Sequence, residues 1–209
     1  MGLIEYALLT AGSLFAILNA VAAVPAFLAL TPTADLKARE RMARVACFVS
    51  MCVMYLFGLL GGYIFKIFGI SMPAFQTAGG LLLVLVALDM LRAHQSDYKG
   101  GQEELAQGAV KQDIAVTPLA IPMLSGPGAI STVIVLSDKA HTLPHQLILY
   151  ACIPVVCFLS YLTLYLGARG ARSLNSMSMN IITRLMGLLL AAIGMEFIGH
   201  ALPQLLHLR

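Results

Sequence analysis

Thr117–Ser131, TPLAIPMLSGPGAIS, is the stretch on which the rest of the chain turns. It is apolar enough to lie in a membrane, yet it holds three prolines (Pro118, Pro122 and Pro127) and two glycines (Gly126 and Gly128). Each proline lacks a backbone donor and crowds the preceding turn. The glycines on either side of Pro127 permit backbone angles that a helix does not use. Helix-breaking backbone at membrane depth survives only where protein covers it or where it lines a cavity. The stretch is therefore the first candidate for a binding site.

Its surroundings make the membrane reading firm. The 209 residues are 59% hydrophobic and 11% charged, with a mean hydropathy of +0.87. A soluble domain carries about 25% charged residues. The charges are clustered, so that the tracts Glu5–Asp35, Arg44–Lys66, Lys66–Asp89, Asp113–Asp138 and Lys139–Arg169 are uncharged between their ends. A sixth tract, after Arg184, is interrupted only by Glu196 before the terminal Arg209. Each is long enough to cross about 30 Å of hydrocarbon as helix, which takes about 20 residues. Six spans are predicted, at residues 6–30, 45–65, 75–91, 115–136, 146–166 and 185–206. They leave no length for a soluble catalytic domain. The first tract has no basic residue before it and is longer than a signal-peptide core, so it reads as a resident span.

Ten of the 13 basic residues fall on one side of this arrangement: Lys37, Arg39, Arg41 and Arg44 after span one, Arg92, Lys99 and Lys111 after span three, and Arg169, Arg172 and Arg184 after span five. Lys66, Lys139 and Arg209 fall on the other. Basic loops stay cytoplasmic, so both termini are expected outside. Tyr6, Tyr63 and Tyr150 then lie toward the outer interface and Tyr165 toward the inner one, as in an aromatic belt. No basic stripe with interleaved aromatics suggests nucleic acid.

An offset of 107 residues lays one half of the chain on the other. Gly80-Leu81-Leu82-Leu83 falls on Gly187-Leu188-Leu189-Leu190, Asp89 on Glu196, and Asn19-Ala20-Val21 on Gly126-Pro127-Gly128. Three spans per half is an odd number, so the second half runs in the opposite sense. The expected fold is an all-α membrane protein whose six transmembrane helices form two inverted three-helix repeats, with helices one and four broken. Repeat one is residues 1–91, a hydrophilic cytoplasmic linker occupies 92–113, and repeat two is 114–209. Inverted repeats are a common transporter architecture, with substrate near the midplane at the repeat interface. Symmetry predicts a break in span one near Asn19–Pro25, matching the break at Gly126-Pro127-Gly128. A helix N-terminus suits a carboxylate, and bare carbonyls at a C-terminus suit an ammonium. A small zwitterion such as an amino acid uses both, although other small polar solutes also fit.

Candidate substrate-binding residues are Asn19, Pro25, Ser125, Gly126, Pro127, Gly128 and Ser131. Asn19 is an amide deep in an uncharged tract and needs a partner, either substrate or a neighbouring helix. Ser125, Ser131 and Thr132 can satisfy backbone groups freed at the break as well as a solute. Glu196 lies twelve residues past Arg184, about 18 Å along a helix. An ionisable group at that depth is a candidate proton-coupling site, the other readings being a structural carboxyl or one close enough to the surface to be wet. Cys47, Cys52, Cys152 and Cys157 have neither disulfide nor metal spacing and read as small apolar residues. His141, His145, His200 and His207 show no ligand spacing. No catalytic residue, cofactor or metal is expected.

The stretches Asp113–Thr132 (DIAVTPLAIPMLSGPGAIST), Ile182–Ile198 (ITRLMGLLLAAIGMEFI) and Ala78–Leu91 (AGGLLLVLVALDML) resemble the MarC family of bacterial inner-membrane proteins. The resemblance covers nearly the whole chain. It implies six spans in two inverted triplets, a bacterial inner-membrane location with periplasmic termini, and kinship with exporters of small metabolites. Some relatives are described as transporters of glycine or alanine. The family writes the first-half motif as Asn or Asp, Pro, x, Gly, Asn, x, Pro; this chain keeps Asn19 and Pro25 but has Ala20, Ala22 and Ala23 at the other positions. Glu196 stands where relatives commonly have glutamine. The expected function is a secondary transporter of small neutral amino acids. Its expected partners are the bilayer, a small-molecule substrate and a coupling ion, proton or Na+. The alternatives are a non-transporting scaffold or regulator, and an intramembrane enzyme, against which the missing CxxC and serine-nucleophile motifs argue.

Overall fold

The computed structural model describes residues 2–31, 34–92, 115–170 and 176–207. Most of the predicted 92–113 linker lies outside them. The described residues form helices and short turns: α1 (Leu3–Leu18), α2 (Ala20–Leu30), α3 (Leu36–Phe68), α4 (Met72–Arg92), α5 (Ala115–Leu124), α6 (Pro127–Lys139), α7 (Leu143–Gly170) and α8 (Ser176–His207). Segment α5 is wound as a π-helix. Five helices, with α1 and α2 counted as one broken span, are long and apolar enough to cross a membrane. Their outer faces carry large exposed apolar side chains such as Ile4, Leu8, Phe48, Ile67 and Leu147. Without water to compete, such faces suit hydrocarbon, and the helical form satisfies the backbone internally.

Local chemistry sets the helix ends. The Asp35 side chain caps α3 by accepting from the Ala38 N–H at 3.1 Å. That helix starts earlier than the hydrophobic pattern implies and absorbs the basic segment from Leu36 to Arg44. Gly69, in the left-handed region at φ 62°, closes it, with the Ile70 N–H on the Phe65 carbonyl at 3.0 Å. Arg39 reaches back to the end of α2 and donates from Nε and Nη2 to the Thr31 carbonyl at 3.1 and 2.8 Å. A cation there complements the negative end of the helix dipole.

Helices meet where side chains are small, as expected when apolar surface itself gives no drive to associate in lipid. The most extensive contact joins α4 and α8. A Cβ on Gly80 would lie 2.6 Å from the Gly194 carbonyl oxygen, and one on Gly187 would lie 3.1 Å from the Ala87 carbonyl. These two contacts run in opposite order along the chain, so α4 and α8 pack antiparallel. Helices α3 and α7 meet through hydroxyl-to-carbonyl bonds, Tyr55 to Tyr150 at 2.7 Å and Tyr150 to Gly58 at 3.2 Å. Tyr6 corrects the aromatic-belt reading: it is fully buried and donates to the Leu136 carbonyl at 2.8 Å. Tyr63 is exposed, as an interfacial tyrosine should be.

A cavity at two helix breaks

Asn19 alone separates α1 from α2. Its backbone is left-handed, at φ 42° and ψ 47°, a conformation that asparagine tolerates better than most residues. Its N–H closes α1 on the Phe15 carbonyl at 3.3 Å, and its carbonyl opens α2 by accepting from the Ala23 N–H at 3.1 Å. The Asn19 side chain caps neither helix. Pro25 departs from expectation, because α2 runs through it unbroken. The missing donor there frees one carbonyl, that of Val21, and the helix tolerates it.

The second break is Ser125-Gly126, one residue earlier than the Gly126-Pro127-Gly128 expected from the sequence. Ser125 is fully buried, and both its N–H and its hydroxyl donate to the Ala120 carbonyl, at 2.8 and 2.9 Å. It closes the π-helical turn and presents no free donor to a solute. Gly126 is extended, at φ −72° and ψ −176°, so its backbone is open to any residue. Space demands the glycine: a Cβ would overlap the Pro122 carbonyl. Pro127 then starts α6 at its first position, where no donor is needed. Its ring fills the room left by Gly79 of α4, where a Cβ would collide with it.

Asn19 and Gly126 stand 107 residues apart, as do the first residues of α2 and α6, Ala20 and Pro127. The two breaks line one cavity of about 430 Å³, within the usual ~300–1,000 Å³ range of small-molecule sites. All four half-helix ends reach its wall: α1 through Ile17 and Leu18, α2 through Ala22 and Ala23, α5 through Pro122 and Leu124, and α6 through Gly128 and Ala129. Phe197 of α8 and Leu83 of α4 contribute apolar cover. Among the described residues that line it none is ionisable, and Asn19 supplies the one side-chain amide. The other lining side chains are apolar, so further polarity comes from the backbone at the breaks, where no N-cap side chain satisfies the first N–H groups of α2 and α6.

The candidate residues thus divide. Asn19, Gly126 and Gly128 line the cavity. Ser125 and Pro127 are buried behind it and shape the break. Pro25 lies within α2, off the cavity wall. Ser131 faces a separate cavity, where it donates to the Pro127 carbonyl at 2.6 Å and accepts from Gln76 Nε2 at 3.2 Å. Glu196 lies on the outer face of α8, its side chain 74% exposed and paired with His200 at 2.7 Å. Its neighbour Phe197 faces the cavity instead. Sequence reasoning missed Phe197, Ile17 and Gly79. The Gly79-Gly80 doublet was a local signal for close packing; the two apolar residues carried none.

The chain matches the model of the MarC family, described as MarC family integral membrane protein, over residues 4–206. It is 35% identical over 195 residues to a UPF0056 membrane protein of Methanocaldococcus jannaschii, covering 93% of this chain and 95% of that one. It is 37% identical to the UPF0056 membrane protein YvbG of Bacillus subtilis, over 91% and 90% of the two chains. The figure is 34% for YhcE of Escherichia coli, over 88% and 86%. No solved structure matches. With the fold, the helix breaks and these similarities together, the chain belongs to the MarC family of multi-pass integral membrane proteins.

Proposed function

We propose that the protein is a secondary transporter of a small, net-neutral solute with a carboxylate and an ammonium group, of the glycine or alanine type. The observation that carries this reading is the meeting of two helix breaks, 107 residues apart, in one cavity whose described lining residues include no ionisable side chain. Uncapped N-termini of α2 and α6 offer N–H groups and positive dipole ends to a carboxylate. The carbonyl ends of α1 and α5 offer acceptors to an ammonium. A solute with net charge would be left with an unanswered charge in a site of this kind.

The same offset supports an inverted repeat, with α5 and α6 together forming span four and bringing the spans to six. Gly80 and Gly187 are equivalent under it, as are Ala87 and Gly194, and the two members of each pair occupy corresponding places in the α4–α8 contact. The basic-residue bias supports a bacterial inner-membrane orientation with both termini periplasmic. Under this reading the chain is no enzyme, and its partners are lipid, the solute and a coupling ion. A proton is the candidate ion and the Glu196–His200 pair its candidate carrier, acting on the cavity through Phe197.

Uptake of labelled glycine, alanine and serine into proteoliposomes, with and without a proton gradient, tests the proposal. Accumulation of at least one is expected, and flux of none points to the scaffold reading. Glu196→Gln is expected to abolish the stimulation by a proton gradient. Undiminished stimulation removes Glu196 from the coupling.

A further inference from the structure

A second cavity, of about 240 Å³, lies on the other side of the break. Ser13 of α1 and Ser131, Thr132 and Lys139 of α6 line it, with Leu9 and Leu136 as apolar walls. The two helices run antiparallel here, since Tyr6 bonds Leu136 near one end of the pair and Ile17 meets Gly128 near the other. Moving along them from the end where α1 begins, Lys139 comes first. Ser13, Ser131 and Thr132 follow. One helical turn on, about 5.4 Å, stands the contact of Ile17 with Gly128, and beyond it the Asn19 cavity. A Cβ on Gly128 would lie 3.1 Å from Ile17 Cδ1 and 3.2 Å from Phe197 Cζ, so these two side chains pack over Gly128 in the wall of the larger cavity. The larger cavity extends the opposite way, along α2 to Ala26 and along α8 to Met186.

We propose that the Ser13–Thr132–Lys139 cavity is a vestibule that receives the carboxylate of the solute, and that Ile17, closing over Gly128 against Phe197, is the gate between it and the Asn19 cavity. Lys139 has no acidic partner among the described residues, so its ammonium is available to a carboxylate at the mouth. Hydroxyls of Ser13 and Thr132 accept or donate as the solute turns. The gate is an isoleucine side chain over a glycine, so a rotamer change of Ile17 opens it without unfolding a helix. The choice of solute rests on the transporter reading; the vestibule and gate rest on the cavities.

Thiol labelling tests this without any transport. In a background with Cys47, Cys52, Cys152 and Cys157 replaced by alanine, single cysteines at Ser13, Thr132 and Ala22 are exposed to membrane-impermeant methanethiosulfonates from each side. Ser13→Cys and Thr132→Cys are expected to react from the side of the chain termini, and Ala22→Cys from the opposite side. A negatively charged reagent is expected to outpace a positively charged one at Thr132→Cys about tenfold, as charge steering into a cleft gives. Lys139→Gln is expected to erase that difference. Adding Ile17→Ala to Ala22→Cys is expected to make the cysteine reactive from both sides. Labelling of all three cysteines from one side, an unchanged charge preference in Lys139→Gln, or no gain of access with Ile17→Ala overturns the proposal. If labelling follows the expected pattern and no solute is taken up, the transporter reading falls and the vestibule stands.

Discussion

Gly194→Leu is expected to prevent recovery of a folded, monodisperse protein in detergent. The Gly194 position faces the Gly80 carbonyl oxygen, only 2.6 Å from where a Cβ would stand, with Val84 Cγ2 at 2.8 Å. The obstruction is mainly backbone, which no rotamer change relieves, so α4 and α8 would have to separate. That costs about 3 kcal/mol, the upper part of the overpacking range. It also forfeits close helix contact, which in lipid is a principal source of association. Gly199→Leu on the same helix is the control, because nothing lies within 4 Å of a Cβ there. Thermal unfolding followed by size-exclusion chromatography should separate the two variants clearly. Equal stability of both would mean that α4 and α8 are not packed as described.

The second large effect is expected at the break. Gly126→Ala adds one methyl where the Pro122 carbonyl already sits. The backbone angles at Gly126 are ordinary for alanine, so any loss comes from the close approach and not from conformational strain. Either the carbonyl of Pro122 moves or α6 shifts along its axis, and both displace N–H and carbonyl groups that line the cavity. A misplacement of about 1 Å in such a site can cost about a hundredfold in rate. Solute uptake is therefore expected to fall about a hundredfold while the protein still folds. Gly128→Ala, whose Cβ would meet only the ends of Ile17 and Phe197, should be milder. The reverse order of severity in uptake assays would show that Gly126 is a spacer with no bearing on the site.

Uncharged tracts were enough to read five of the expected spans, because each is long enough to cross the hydrocarbon as helix. The position of the first break was also legible, since the offset that aligns Gly80 with Gly187 carries Gly126 back to Asn19. Pro25 misled because proline is a breaker on average, whereas α2 needs only to forgo one hydrogen bond there. The direction of Glu196 was not legible. Helix α8 is apolar on most sides, so its pattern gives no cue to which face meets protein. Tertiary packing alone turns Phe197 inward and Glu196 outward. Ser131 was grouped with the break by proximity in sequence, yet it lies a helical turn beyond the Gly128 contact and faces the vestibule. Backbone donors and acceptors at a helix break leave no residue-type signature in the sequence.

If the two breaks together bind a small zwitterion, Asn19, the one polar side chain among the described lining residues, is in contact with it. The most direct measurement is uptake of labelled glycine and alanine by proteoliposomes holding equal amounts of folded wild-type protein and Asn19→Leu. Accumulation is expected with the wild type and none above background with Asn19→Leu. Equal uptake by both would contradict it.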